Sequence, residues 1–134
     1  MKVDREKMLL PMKVGGVTFR NPFYVGSGPT SKSIDHLVKA AEMGWAGASI
    51  KLTFDPTPYI SLPPRYGYFA KERFLSFSAE TRLDVEEGLQ LMREGRKQTK
   101  KIVLLANMSY SGTEGVAGWV NMAKRFEDAG AHVI

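Results

Sequence analysis

The sequence has no cysteine among its 134 residues. That excludes disulfides, thiolate catalysis and Cys-ligated zinc or iron–sulfur clusters within this chain, and it accords with a reducing, cytoplasmic setting. No run of eighteen apolar residues occurs, and no basic segment leads into an apolar one at the start. Neither a membrane span nor a secretory signal is therefore expected. Paired catalytic carboxylates are lacking too, since Glu86 and Glu87 fall on the surface of an expected helix. His36 and His132 lie far apart with no carboxylate at ligand spacing, so no metal site is expected.

Charge of one sign is in modest excess, with 19 Lys and Arg against 14 Asp and Glu and a net charge of +5. The excess is dispersed except for Arg93, Arg96, Lys97, Lys100 and Lys101 at the end of an expected helix, where cations suit the helix dipole. No aromatic residue is interleaved with this cluster, so nucleic-acid binding is not expected. Hydrophobic residues make up 43% and charged residues 25%, the composition of a globular chain long enough for one domain.

Periodicity then divides the chain into elements. "LPMKVGGVTFRNPF" reads as a hairpin, with Met12 and Val14 before a Gly15-Gly16 turn and Val17 and Phe19 after it. "FYVGSG" is a short buried strand. "SKSIDHLVKAAEMG" is a helix with Ile34, Leu37, Val38 and Ala41 on one face, serines and Thr30 as candidate caps, and Gly44 as the stop. "GASIKLTF" is a second strand. The four-proline segment 55–78 follows, too long for a simple connection and suited to a lid. "TRLDVEEGLQLMREGRKQ" is a second helix using Val85, Leu89 and Met92. "KIVLLANM" is a third strand, and a helix over 113–129 carries the stripe Val116, Trp119, Val120, Ala123 and Phe126. "AHVI" opens a fourth strand.

Strands alternating with helices predict an α/β fold with a parallel sheet. Continuous apolar strand runs predict helical cover. An open doubly wound sheet competes with part of a barrel; the start of a strand at Ile134 favours half of a barrel, so 1–134 is expected to be incomplete. In either fold the chemistry belongs at the carboxyl ends of the strands. Gly26-Ser27-Gly28 ends the first strand, either as a tight βα turn or as a surface that a flat ligand or phosphate can approach. On the second, alternation sends Ile50 and Leu52 to one face and Ser49, Lys51 and Thr53 to the other, leaving Lys51 as a surface cation or a held point charge. On the third, Ile102, Leu104 and Ala106 oppose Val103, Leu105 and Asn107, whose amide caps the next turn or meets a heterocycle edge. Tyr59, Tyr66, Tyr68, Phe69, Phe74 and Phe77 crowd the long loop, as a lid or as its own small core.

Taken in order, "NPFYVGSGP", "AGASIKLTF", "FLSFS", "KIVLLANMSY" and "AKRFEDAGAHVI" resemble the dihydroorotate dehydrogenase family. The nearest branch is similar to the pyrimidine-reducing FMN barrel of dihydropyrimidine dehydrogenase. The resemblance implies the N-terminal portion of a (β/α)8 TIM barrel with an entry β-hairpin, and a cytoplasmic flavoprotein oxidoreductase of pyrimidine metabolism acting on the CH–CH bond of a dihydropyrimidine-like ring. It implies FMN as cofactor, held by Gly26, Ser27, Gly28, Lys51 and Asn107, with Lys51 and Ser76 on the substrate. Ser76 stands where the family usually carries asparagine. The family's catalytic Cys or Ser base belongs to a later segment, so no catalytic residue is assigned here. An iron–sulfur or NAD(P)H-oxidising partner is also implied, and the open sheet edges of half a barrel lead homo-oligomerisation to be expected. Two alternatives stand beside this reading, a dihydroorotate dehydrogenase-type activity and a non-catalytic half-barrel that associates with itself.

Overall fold

A computed structural model describes residues 10–57, 66–77 and 82–134. The described residues open with an antiparallel hairpin, β1 (Met12–Val14) and β2 (Val17–Phe19), turned by Gly15 and Gly16 at φ of 54° and 84°. There follow β3 (Tyr24–Val25), a 3-10 turn at Pro29–Ser31, α1 (Ile34–Glu42), β4 (Gly47–Ser49) and β5 (Thr53–Asp55). Next come β6 (Tyr66–Phe69), β7 (Phe74–Phe77), β8 (Leu83–Asp84), α2 (Val85–Gln98), β9 (Val103–Leu105), β10 (Met108–Tyr110) and α3 (Val116–Asp128). The result is a mixed α/β fold in which the central pairings are parallel and the two hairpins antiparallel.

Across the sheet, β3 pairs with β4 and β4 with β9, and Val133 forms a single parallel bridge to Leu105. Among these strands spatial order follows chain order, whereas β8 lies on the far side of β5 from β10; α1, α2 and α3 cover the same face. Leu37, Leu89, Met92, Met122 and Phe126 from the helices interlock there with Ala48, Ile50 and Leu104 of the sheet, each of these eight at most 1% exposed. Burial of each large side chain contributes about 1.5–3 kcal/mol. The opposite face is thinner. Phe19, Ala46 and Val103 bury each other there, supported by Val17, Leu105 and Val133. Beside them a cavity of about 210 Å³ is lined by Met12, Val14, Phe19, Pro22, Tyr24, Leu105 and Val133. Arg20 and Asn21 lock the hairpin to the end of α1, donating to the carbonyls of Trp45 (2.8 Å) and Gly44 (3.1 Å).

Two expectations are corrected here. Alternation from Ser49 to Thr53 breaks, because Ser49 pairs with Leu105 but Thr53 pairs with Met108. Ile50, Lys51 and Leu52 thus oppose only Ala106 and Asn107, which is a one-residue bulge. Thr53 consequently turns to the helix side and is fully buried against α2. In α3 the buried face is Gly118, Met122 and Phe126, whereas Val116, Trp119 and Val120 are 79%, 42% and 47% exposed. Gly118 faces inward because the Tyr110 ring lies where its Cβ would be, and Met122 and Phe126 share its side at i+4 spacing.

The segment expected as a lid contains the β6–β7 hairpin, whose register sets Gly67 against Ser76. Its Phe69 and Phe74 rings stack at 5.7 Å, both about half exposed. Tyr59 and the rest of 58–65 lie outside the described residues, as does 78–81. Glu86 and Glu87 have structural partners. Glu87 forms a reciprocal capping box with Asp84, and Glu86 pairs with Arg125, which also reaches Asp55 at 3.2 Å.

His132 fastens the last bridge. Its backbone N–H donates to the Leu104 carbonyl and its Nδ1 accepts the Leu104 N–H, both at 2.9 Å, while Arg96 lies against Nε2. Burial first, and then the Arg96 charge, hold the imidazole pKa below its ordinary value. The unfolded chain then takes up this proton first, so the stabilisation is complete above pH ~6.5 and declines as pH falls from there towards the folded pKa. Thermal melts from pH 7.5 down to 5.5 are expected to show a falling Tm, and His132→Gln is expected to flatten that part of the profile.

The bulge also explains a glycine in α2. A Cβ on Gly88 would lie 2.4 Å from the Thr53 hydroxyl, whose residue has no room to retreat. Gly88→Ala is expected to cost roughly 1–3 kcal/mol in a denaturant titration, as an overpacked contact between helix and sheet.

Candidate functional site

Parallel pairing brings the three polar strand ends together. Tyr24 and Val25 align with Gly47 and Ala48, so Gly26 stands level with Ser49 and Leu105. Lys51 and Asn107 follow two residues beyond those, about 6–7 Å further along their strands. The Gly26-Ser27-Gly28 turn, Lys51 and Asn107 thus occupy the same end of three adjacent strands in chain order.

The turn is shaped by Ser31, which is fully buried. Its Oγ accepts the Gly28 N–H at 3.1 Å and shares its proton between the carbonyls of Gly28 (3.2 Å) and Gly26 (3.4 Å). The Gly28 amide is therefore engaged within the turn. Above the glycines there is space: a Cβ on Gly26 would meet no described atom within 4 Å, and one on Gly28 only the Gly26 carbonyl at 3.9 Å. Neither glycine has the positive φ that demands its type, in contrast to Gly15 and Gly16. Ser27 is exposed.

Lys51 sits in the middle of the bulge. Its N–H donates to the Ser31 carbonyl at 3.0 Å and its carbonyl accepts the Thr53 hydroxyl at 3.2 Å. Both backbone groups are fixed, while the half-buried side chain has no ion pair or hydrogen bond among the described residues. Bulges recur beside functional sites because they re-aim a side chain without ending the strand. Above the bulge the neighbour of the strand changes: β4 pairs with β3, but β5 pairs with β8, and Leu83 donates to the Leu52 carbonyl at 3.0 Å. The glycine turn occupies the gap so created.

Asn107 faces Lys51 across this gap in the ladder. Its carbonyl accepts the Thr53 N–H at 2.9 Å, and its half-buried amide has no hydrogen-bond partner among the described residues. Capping of the following turn by this side chain is thus not observed. Ser76 is exposed on β7, away from the three strand ends in the pairing pattern. Chemically the arrangement offers open space over two glycines, with one cation and one amide that have no partner among the described residues, a set suited to an electron-rich or anionic planar ligand. The residue that sequence reasoning missed is Ser31, hidden within a Thr-Ser-Lys-Ser run that reads as capping material.

The basic cluster lies at the other end of the strands. A cavity of about 490 Å³ there is lined by Arg20, Glu42, Lys97, Lys100 and Lys101 among others, between the carboxyl ends of α1 and α2. Lys97 is paired with Glu94 at 2.8 Å, and among the described residues no group of three His, Asp or Glu side chains is placed to hold a metal ion.

No family model matches the chain. It is 29% identical over 125 residues to the NAD-dependent dihydropyrimidine dehydrogenase subunit PreA of Escherichia coli (strain K12), and equally to that of Escherichia coli O157:H7. The match covers 89% of this chain and 29% of each relative. The chain is thus distantly related to that subunit and spans less than a third of its length. All three strand ends lie in a stretch this relationship spans almost throughout. Among the described residues no helix is long and apolar enough to cross a membrane.

The open space over Gly26 has a direct consequence. Gly26→Leu is expected to change stability by no more than about 0.5 kcal/mol, because neither backbone conformation nor packing requires the glycine. A thermal melt of that variant checks this.

Proposed function

We propose that this chain is the first part of an FMN-dependent oxidoreductase that acts on the CH–CH bond of a dihydropyrimidine-like ring, built on the N-terminal half of a (β/α)8 barrel. The observation that carries the reading is the convergence of the Gly26-Ser27-Gly28 turn, Lys51 and Asn107 on three adjacent strand ends. The distant relation to a dihydropyrimidine dehydrogenase subunit supports the substrate class. Barrel ancestry is supported by strand order that follows chain order, by helices on one face, and by the apolar residues Met12, Val14 and Tyr24, which are 41%, 52% and 50% exposed on the other.

The residues present suit a flavin. Open space over the glycines admits a flat ring close to the backbone, and no described side chain competes for the Lys51 ammonium. When bound, FMN supplies the hydride chemistry at the C5–C6 bond of the pyrimidine. The chain's own part is positioning and electrostatics. Lys51 places a positive charge where negative charge accumulates, on a backbone held at both its N–H and its carbonyl. Asn107 offers a donor and an acceptor on the same wall. Ser76 lies on the β6–β7 hairpin, which is not paired with the three strand ends, and its hydroxyl would meet the substrate with that hairpin folded over them. A hydroxyl reads a single donor or acceptor position rather than a paired amide edge, which points to a ring related to, but not the same as, a simple pyrimidine. None of these groups is assigned as the proton donor. A partner chain that oxidises NAD(P)H completes the proposal.

Absorption spectra after incubation with FMN and gel filtration provide the test. Flavin absorbance is expected to co-elute with the 134-residue chain. Lys51→Ala is expected to raise the FMN dissociation constant roughly tenfold, the loss of one charge-assisted contact. Gly26→Leu is expected to abolish retention while remaining folded. Retention in both variants equal to that of the unaltered chain would overturn the assignment.

A further inference from the structure

A fully buried hydroxyl in a three-residue turn needs a physical reason, because burial of a polar group is unfavourable unless its hydrogen bonds are made. Ser31 makes all of them, and they divide into two sets. Its side chain closes the glycine turn through Gly28 N–H and the carbonyls of Gly26 and Gly28. Its main chain donates to the Gly28 carbonyl at 3.2 Å and accepts the Lys51 N–H at 3.0 Å. One residue thus bonds to both the glycine turn and the bulged strand. Thr53 steadies Lys51 from the other side through its carbonyl but has no hydrogen bond to the turn.

We infer that Ser31 is the positioning residue of this site. It fixes the separation between the Gly26–Gly28 turn and the Lys51 backbone, and so sets the point from which the lysine side chain reaches a ligand resting on the turn. The inference rests on the reading of the turn and Lys51 as facing one flat ligand. It adds that the coupling passes through the Ser31 hydroxyl. Without that hydroxyl the Gly28 amide loses its acceptor, the turn loosens, and the carbonyl that holds Lys51 moves with it. Ser31 touches neither ring nor substrate in this account.

Amide hydrogen exchange of the full chain, read residue by residue by NMR, tests the coupling without any ligand. In Ser31→Ala the Gly28 and Lys51 amides are expected to exchange about tenfold faster. The Val103 and His132 amides, which bond to Ala46 and Leu104, are expected to be unchanged. Ser33→Ala removes a hydroxyl two residues further on, one that contacts His36 at 3.0 Å, and is expected to leave all four amides as they were. Acceleration at Gly28 with none at Lys51 would overturn the inference.

Should Ser31→Ala lose its folded spectrum, Ser31→Thr carries the same test. Slow exchange at both amides supports a hydroxyl link, and fast exchange at Lys51 in a folded threonine variant refutes it. FMN titration followed by flavin fluorescence separates this inference from the reading it rests on. An unaltered chain that binds no flavin removes that reading while the exchange data still decide the coupling. Unaltered FMN affinity in Ser31→Ala, despite faster exchange, removes the positioning role alone.

Discussion

One extra residue between Ser49 and Thr53 governs the upper half of this molecule. Three residues there face two on the neighbouring strand, which stays alongside through 103–110 with its register shifted by one, while the neighbour on the other edge changes. Below it the second strand lies beside β3; above it, beside β8. The turn that ends the first strand fills the space opened by this change of neighbour. Lys51 lies at the fault itself, with both backbone groups bonded and its side chain without a partner among the described residues. A regular strand would have put Thr53 on the opposite face, against no helix, and would have left α2 without its close seat at Gly88.

That close seat links the site to the stability of the core. Thr53 is wedged between α2 and the bulge, its hydroxyl on the Lys51 carbonyl and its side chain filling the notch left by Gly88. The helix therefore presses on the residue that steadies the lysine. Rigidity at the strand ends comes from packing on the helix side, while the face that would meet a ligand is left open. This division suits a site in which charge must be held in place rather than brought in by a moving segment.

Much of this was readable in the sequence, for reasons that can be traced to particular residues. The first hairpin is announced by Gly15-Gly16 because only positive φ closes a turn so short. Leu37, Leu89 and Met92 declare their helix faces through simple periodicity, as do the alternating faces of 102–107. The bulge was not readable: "SIKLTF" alternates perfectly, and only the partner strand shows that a residue is in excess. In α3 Val116, Trp119 and Val120 point outwards while Gly118 points in beside Met122 and Phe126, so a count of hydrophobic side chains favours the wrong face. The β6–β7 hairpin was read as loop because its turn has no glycine or asparagine; Arg73 takes the positive φ of 50° instead. For the candidate site, the three strand ends were visible as polar residues closing apolar runs. Ser31, which joins them, was not, since burial is a property of the fold and serine is common in exposed caps.

The unfilled space over Gly26 separates two kinds of selection. At most buried glycines of this chain, such as Gly88, a side chain would be rejected by the fold before any ligand was involved. At Gly26 the fold is indifferent, so thermostability screening would let the position drift freely. Any constraint on it would come from whatever rests on the turn. A library of substitutions at this one position, sorted once for folding and once for ligand retention, would give two different residue preferences, and their divergence would outline the ligand's footprint.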